Sequence, residues 1–292
     1  MRMGSIDALI LNYNDAVTAK ECALRLAGMN IIQRVLVVDN LSTDDSYAML
    51  AALTCDKIEV VSTSHNGGYG AGNNFGIRYL KEKYDSKQIL LCNPDTVIEE
   101  DCIAALSEYL SANPDYGIAA PFMLNAKGEK QYNTAFRIPG VNEYILSLGI
   151  LANRLIKPFY YPDIMQMECD AKDVGAVSGS LFMMDTDKMI QYGMYDESIF
   201  LYCEEISLGL KFQKCGVKTA LLPGRTFVHN HSVSINKTLM SRVKRHAQLM
   251  QSKLYVIRNL YRASPIQNGA AYVLSRISIA ECWLLSVLRG QS

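Results

Sequence analysis

The sequence predicts an α/β fold: a mostly parallel central sheet flanked by helices, followed by a C-terminal helical extension. Three observations lead there. Short apolar runs alternate with helix-length stretches through the first 120 residues, the pattern of a parallel sheet covered on both faces. Polar residues gather where each apolar run ends, and ligands of such sheets bind beyond the carboxyl ends of the strands. Residues 238–262 read as one helix, with Val243, Ala247, Met250, Leu254, Ile257 and Tyr261 recurring on one face at steps of four and three.

The elements follow in order. IDALILN (6–12) is the first strand and a helix is expected from about 15 to 28. RVLVVDN (34–40) is the second strand, and LSTDDSYAMLAAL the next helix, with Ser42 or Thr43 as its cap and Asp44 and Asp45 suited to its positive end. KIEVVST (57–63) is a third strand, followed by a glycine-rich turn into GIRYLKEKY. QILLCNP (88–94) is a fourth, and EEDCIAALSEYL an acid-started helix. Residues 122–172 lose this regularity and read as long loops and small elements, where specificity often sits. Order returns with the strand-like VGAVSGSLFMM, a helix at 186–192, a helix beginning near the paired glutamates of FLYCEEISL, and VKTALLP.

The chain carries no net charge, but its two parts differ sharply. Residues 1–205 hold 28 acidic and 16 basic side chains, whereas 206–292 hold 13 basic ones and a single acid, Glu281. Such asymmetry points the basic part toward an anionic partner. No aromatic–basic platform or reader motif accompanies it, so nucleic acid is not the expected partner. The eight cysteines are scattered with no CxxC pair, and the early Asp7 and Asp15 break any secretory h-region. Reduced thiols in a cytoplasmic protein are the expectation. No run of about 18 uncharged apolar residues occurs, so no transmembrane helix is expected.

Four stretches carry candidate chemistry. HNGGYGAGNNFG (65–76) has glycines that let backbone approach a ligand closely, with a helix N-terminus after it, as a phosphate would require. Its spacing matches neither the dinucleotide fingerprint nor a P-loop, and a plain flexible turn would look the same. CNPDTV (92–97) places Asn93 and Asp95 after a strand, two apart on one side of an extended segment. They would suit a hard divalent cation, or form an ordinary Asn-Pro-Asp turn. FVHNHS (227–232) holds two of the chain's four histidines, either of which would complete such a cation's shell or be merely structural. Glu204 and Glu205 are either a solvated first helical turn or a reactive pair. In the second case, mutual repulsion and apolar neighbours raise the carboxyl pKa and favour a general base.

Taken in order, these stretches resemble a family 2 glycosyltransferase with the GT-A fold, a Rossmann-like architecture, and are most similar to the bacterial rhamnosyltransferase-like branch. The similarity covers roughly residues 6–232 and rests on LILNYN, VLVVDNLSTDDS, NGGYGAGNNFG, NPD in place of the Asp-x-Asp motif, and GMYDESIFLYCEEISLGLK. It implies a catalytic domain over 1–235, with a nucleotide-sugar half to about 121 and an acceptor half beyond, and an extension over 236–292.

The resemblance also implies roles. Asp39, with Tyr13, Asn14 and Asp44 nearby, would hold the base and ribose of a dTDP- or UDP-linked sugar. Asn66, Gly68, Asn74 and Asn93 would line the nucleotide-sugar pocket. Asp95 and His229 would ligate Mg²⁺ or Mn²⁺, and Glu205 takes the place of the catalytic aspartate beside Glu204. The implied reaction is inverting transfer to a saccharide or lipid-linked acceptor in surface polysaccharide assembly. A non-catalytic nucleotide-sugar-binding partner subunit is the alternative. The chain departs from the family at Glu205, Ser207, Lys211 and Asp185-Thr186, where the family has Asp, Asp, Arg and a basic pair. The basic segment 237–262 is expected either on an anionic membrane surface, peripheral to the cytoplasmic side, or packed on the catalytic domain or in a homodimer.

Overall fold

A computed structural model describes residues 6–150, 152–156, 158–230 and 242–288. The chain runs β1 (Ile6–Asn12), α1 (Ala16–Ala27), β2 (Ile32–Asp39), α2 (Ser46–Ala51), β3 (Ile58–Ser62), α3 (Gly68–Tyr84), β4 (Gln88–Cys92), β5 (Thr96–Ile98), α4 (Glu100–Ala112) and β6 (Tyr116–Leu124). It continues through β7 (Ala135–Phe136), α5 (Val141–Leu146), β8 (Lys172–Val174), β9 (Ala176–Val177), β10 (Leu181–Asp185), α6 (Thr186–Tyr192) and α7 (Glu204–Cys215). The last elements are β11 (Lys218–His229), α8 (Arg242–Tyr255), a π turn at Val256–Leu260, and α9 (Pro265–Leu288).

The main sheet has the order β3-β2-β1-β4-β10-β6-β11-β5, with β8 against β11. Its first four strands are all parallel. Beyond them the pairing is mixed, because β10 runs antiparallel to both β4 and β6. Alternation along the strands fills a layer on each face. Ile6, Ala8 and Ile10 join Ala19, Leu26, Ile103 and Leu106 on one side. Leu9 joins Ile77, Leu80, Leu208 and Phe212 on the other. Burying each such Leu or Ile is worth about 1.5–3 kcal/mol, and this rigid frame lets the loops at the carboxyl edge take irregular shapes.

Several expected boundaries move. The glycine-rich stretch is not a turn: α3 starts at Gly68 and runs through Gly70, Gly72 and Gly76. These three are glycine because neighbours lie too close for a Cβ, which would sit 2.8 Å from Tyr195 Cβ, 2.5 Å from Leu11 Cδ1 and 2.4 Å from Leu9 Cδ1. Helix α2 starts at Ser46, with Asp44 accepting from its amide (2.9 Å), while Ser42 is held by Asp39 instead of capping. The run VGAVSGSLFMM breaks into β9 and β10 at Ser178–Ser180, and β11 continues through Pro223 to His229 with a register shift between Leu222 and Thr226.

The C-terminal elements share a third apolar cluster with α5 and α7. Met250, Val256, Ile257 and Ala271 pack with Tyr144, Ile145, Ile199, Ile206 and Leu210. Of the apolar stripe read in 238–262, Met250, Leu254, Ile257 and Tyr261 join this cluster; residues 237–241 lie outside the described segments. By length and composition alone Pro265–Val287 is apolar enough to cross a membrane, although Arg276 and Glu281 interrupt the uncharged run.

Candidate active site

The carboxyl edge of the parallel strands carries the predicted residues. Asp39 ends β2 almost fully buried; its Oδ1 accepts from Asn12 Nδ2 (2.8 Å) and Ser42 Oγ (2.6 Å), and its Oδ2 from the Ser42 amide (2.9 Å). Asn14 sits at φ 54 and exchanges hydrogen bonds with the Thr43 amide and hydroxyl. Tyr13 beside it is exposed. These residues form one shallow ledge, while Asp44 faces the start of α2.

The glycine-rich segment is used differently from the expectation. Asn66 Oδ1 accepts from the Gly68 amide (3.0 Å) and Asn40 Nδ2 (3.0 Å), and the Tyr69 amide donates to Phe200 O (3.1 Å). The first amides of α3 therefore already serve this chain's own acceptors rather than an open phosphate cradle. Asn74 is 1% exposed; its Nδ2 donates to Tyr195 O (2.9 Å) and its Oδ1 accepts from Tyr195 N (2.8 Å). It clamps the segment before the glutamates instead of lining a pocket. Gly68 has φ +89, and an added Cβ would lie 2.0 Å from Phe200 O.

Residues 93–96 form a tight turn, not the extended segment read from sequence, with the Thr96 amide and hydroxyl donating to Asn93 O (3.2 and 2.7 Å). Asp95 meets its partner because β5 pairs with β11, setting Thr96 opposite His229. His229 Nε2 and Asp95 Oδ1 lie 3.1 Å apart, both buried. His231, the second histidine of FVHNHS, lies outside the described residues. Among the described residues no group of three or more His, Cys, Asp or Glu gathers at one metal position. An Asp oxygen and a His nitrogen converging at a strand edge still fit a divalent ion that takes its remaining ligands from water and a diphosphate.

The Ser178–Ser180 turn joins the two ends of the site. The Asn93 amide donates to Ser180 O (2.7 Å), and the Gly179 amide reaches Glu205 Oε1 (3.4 Å). Tyr69 hydroxyl donates to Gly179 O (2.6 Å). Glu204 and Glu205 open α7 directly after Tyr202 and Cys203, both at φ 72. Glu204 is 7% exposed and its Oε1 has no hydrogen-bond partner. Burial, then repulsion from Glu205, pushes the Glu204 carboxyl up to about 8; burial also raises Glu205. A helix N-terminus favours a carboxylate by only about 0.3–1 kcal/mol, less than the desolvation of a buried charge, so the raised pKa prevails.

That shift has a consequence for stability. A carboxyl with a higher pKa folded than unfolded gives stability that is complete below the ordinary value of 4.5 and lost as pH rises toward about 8. Glu204→Gln removes the penalty. Its thermal midpoint should exceed that of the unmodified chain by several degrees near pH 9 and converge with it near pH 4, measured by scanning calorimetry at both. An equal difference at the two pH values would contradict the assignment.

Sequence reasoning missed Tyr69, Gly179 and Ser180, although SGS interrupting an apolar strand was a usable signal. It also missed Arg25, which donates from α1 to Thr96 O and so braces the Asp95 turn. Nothing local in α1 marks that residue.

Comparison with known proteins identifies the family and the fold. Residues 7–190 match the Glycosyl transferase family 2 profile. The low-salt glycan biosynthesis hexosyltransferase Agl10 of Haloferax volcanii is 27% identical over 79% of this chain and 69% of its own. Rhamnosyltransferase WbbL of Escherichia coli K12 is 26% identical over 66% of this chain and 76% of its own. The N-acetylglucosaminyl-diphospho-decaprenol L-rhamnosyltransferase of Mycobacterium tuberculosis is 25% identical over 73% of this chain and 71% of its own. Among solved structures, GalNAc-T7 with UDP, GalNAc and Mn²⁺ has a TM-score of 0.62 at 13% identity. That match covers 89% of this chain, which spans about half (49%) of the solved one. The mannosyltransferase PcManGT of Pyrobaculum calidifontis with GDP-Man and Mn²⁺ has a TM-score of 0.56 at 14% identity, over 97% of this chain and 75% of that one. These structures share the GT-A fold. The mixed sheet, the family match over 7–190 and the hexosyl- and rhamnosyltransferase relatives together place the chain in glycosyl transferase family 2, as a glycosyltransferase of the rhamnosyltransferase-like kind.

Proposed function

We propose that this enzyme moves rhamnose or a similar sugar from a dTDP- or UDP-linked donor to a saccharide or lipid-linked acceptor, with inversion, in surface polysaccharide assembly. The observation that carries the reading is the Ser178–Ser180 turn, which hydrogen-bonds to the aspartate turn on one side and to Glu205 on the other. Donor and acceptor chemistry thereby meet at one place. Asp39 and Asn14 hold the base and ribose, with Tyr13 beside them. Asp95 and His229 would hold Mg²⁺ or Mn²⁺, which when bound neutralises charge on the departing nucleoside diphosphate. Glu205 accepts the proton of the acceptor hydroxyl. That oxygen forms its bond to the anomeric carbon from the face opposite the diphosphate, and the sugar–phosphate bond breaks with its electron pair leaving on the phosphate. The two rhamnosyltransferase names support the sugar, and the mycobacterial relative's name specifies a lipid-linked acceptor for that protein.

Calorimetric titration with UDP, dTDP and GDP, each with and without Mn²⁺, tests the donor side. Tight binding of UDP or dTDP should require the ion and weaken at least tenfold in Asp95→Asn. Equal binding without metal, or no change in the variant, would contradict it.

The membrane contact belongs to α9 rather than to 237–262. Along one side α9 is fastened to the domain by Gln267 to Asn142 (2.8 Å) and Glu281 to the Ile150 amide (3.1 Å), and to α8 by Ser278 to His246 (2.8 Å). Its other side exposes Ile266, Val273, Ile277, Leu284 and Val287. Residues 242–288 hold seven Lys and Arg against one acid, Glu281, which is tied to the Ile150 amide. A helix fastened at both ends to the domain lies in the plane of an anionic surface rather than across it. The chain should sediment with vesicles containing phosphatidylglycerol and not with pure phosphatidylcholine, and Ile277→Glu/Leu284→Glu should abolish this. Sedimentation unchanged by the double variant would refute the assignment.

A further inference from the structure

The segment that delivers the glutamates, Met194–Cys203, is irregular and strained. Met194, Tyr202 and Cys203 are all non-glycine residues at positive φ. Such conformations are unfavourable for residues with a Cβ and persist only where surrounding contacts over-determine them. From the nucleotide half, Asn74 grips both backbone groups of Tyr195, and the Tyr69 amide takes Phe200 O. Further grips come from Asn74 and Arg78 on Glu197 Oε1 (2.9 and 3.0 Å), from Lys211 of α7 on Met194 O (2.7 Å), and from the C-terminal extension. Ser252 Oγ donates to Leu201 O (2.7 Å), the carbonyl just ahead of the left-handed pair. Tyr255 hydroxyl donates to Asp196 Oδ2 (3.1 Å), while Asp196 O accepts from the Ile199 amide (2.9 Å). Lys214 at the far end of α7 donates to Leu260 O in the π turn.

Ser252 is the telling residue. A helical serine ordinarily bonds back to its own helix, as Ser275 and Ser286 do in α9, donating to Tyr272 O (2.6 Å) and Trp283 O (2.7 Å). Ser252, 3% exposed, turns its hydroxyl across to another segment. Without that hydroxyl Leu201 O would lose its donor, and Tyr202 and Cys203 would be free to leave the left-handed region. The first turn of α7 would rotate with them, since the Ser207 amide bonds to Cys203 O (2.9 Å).

We propose that the C-terminal extension is part of the catalytic apparatus, with Ser252 a positioning residue, supported by Tyr255, that fixes the direction in which Glu205 leaves α7. The proposal rests on the reading of Glu205 as base. It explains why Ser252 and Tyr255 turn their hydroxyls onto the segment before α7 rather than back along their own helix.

The test uses the full chain with Ser252→Ala, Ser252→Thr and, as a control, Ser275→Ala. Hydrogen exchange at the Ile199 and Ser207 amides should rise about tenfold in Ser252→Ala and stay unchanged in the other two. The kcat for transfer should fall about 10–100-fold, with donor KM within twofold, and Ser252→Thr should restore it by restoring the hydroxyl. Unchanged exchange in Ser252→Ala would overturn the brace. Faster exchange with unchanged kcat, or a kcat loss matched by an equal rise in donor KM, would overturn its catalytic role. Absence of transfer in the unmodified chain would instead overturn the function proposed above, and the exchange result would still decide whether Ser252 holds the turn.

Discussion

Glu205→Gln is expected to lower sugar transfer by about 10²–10⁴-fold, the usual contribution of a positioned general base, while leaving donor affinity within a few-fold. The amide oxygen can still accept from the Gly179 amide, so shape and turn survive and only the proton-accepting function is lost. Because burial raises the carboxyl's pKa, the acid limb of kcat/KM should lie above the ordinary glutamate value of 4.5, activity rising with pH as the base ionises. The variant should lose that limb. If transfer persists in Glu205→Gln and collapses in Glu204→Gln, the buried Glu204 carboxyl is the base.

Gly68→Ala should be the most damaging single methyl group in the nucleotide half. The backbone there has φ +89, and the new carbon would overlap the Phe200 carbonyl at 2.0 Å, a backbone atom that cannot swing aside. Left-handed strain of about 1–2 kcal/mol adds to an overpacking cost of about 1–3 kcal/mol. A loss of about 2–5 kcal/mol in urea unfolding follows. The displaced carbonyl belongs to the segment that delivers the proposed base, so kcat should also fall for the folded fraction. Ala for Gly128, also at positive φ but with nothing within 4 Å, isolates strain from overlap and should cost only the first part. Equal costs at the two positions would contradict this account.

The contrast explains what the sequence could and could not convey. Short continuous apolar runs in β1, β2 and β4, alternating with helix-length stretches, made the parallel half legible, since such runs mark strands buried on both faces. Asp39, Asp95 and His229 were legible as polar residues at strand ends, and the glutamates as the acid-rich start of a helix. What they touch was not. The glycines of 67–76 announce close approach, but sequence does not say that the approaching partner is Leu9, Leu11, Tyr195 and Phe200 rather than a ligand. Asp95 and His229 meet through a strand pairing across 134 residues, and Ser252 reaches Leu201 across 51. Long-range geometry of that kind leaves no local trace. The amphipathic reading of 238–262 found a true apolar face, yet periodicity cannot distinguish a protein core from a lipid surface. The exposed stripe of α9 was hidden by Arg276 and Glu281 in an otherwise apolar run.

The central claim, that this chain catalyses transfer from a nucleotide sugar, is tested most directly by incubating it with a panel of dTDP-, UDP- and GDP-linked sugars and Mn²⁺ and following nucleoside diphosphate release. Turnover of a dTDP- or UDP-linked sugar, abolished by chelation and by Glu205→Gln, is the expected result. Binding of a donor with no release, with or without a lipid-linked acceptor, would contradict it and mark the chain as a nucleotide-sugar-binding subunit.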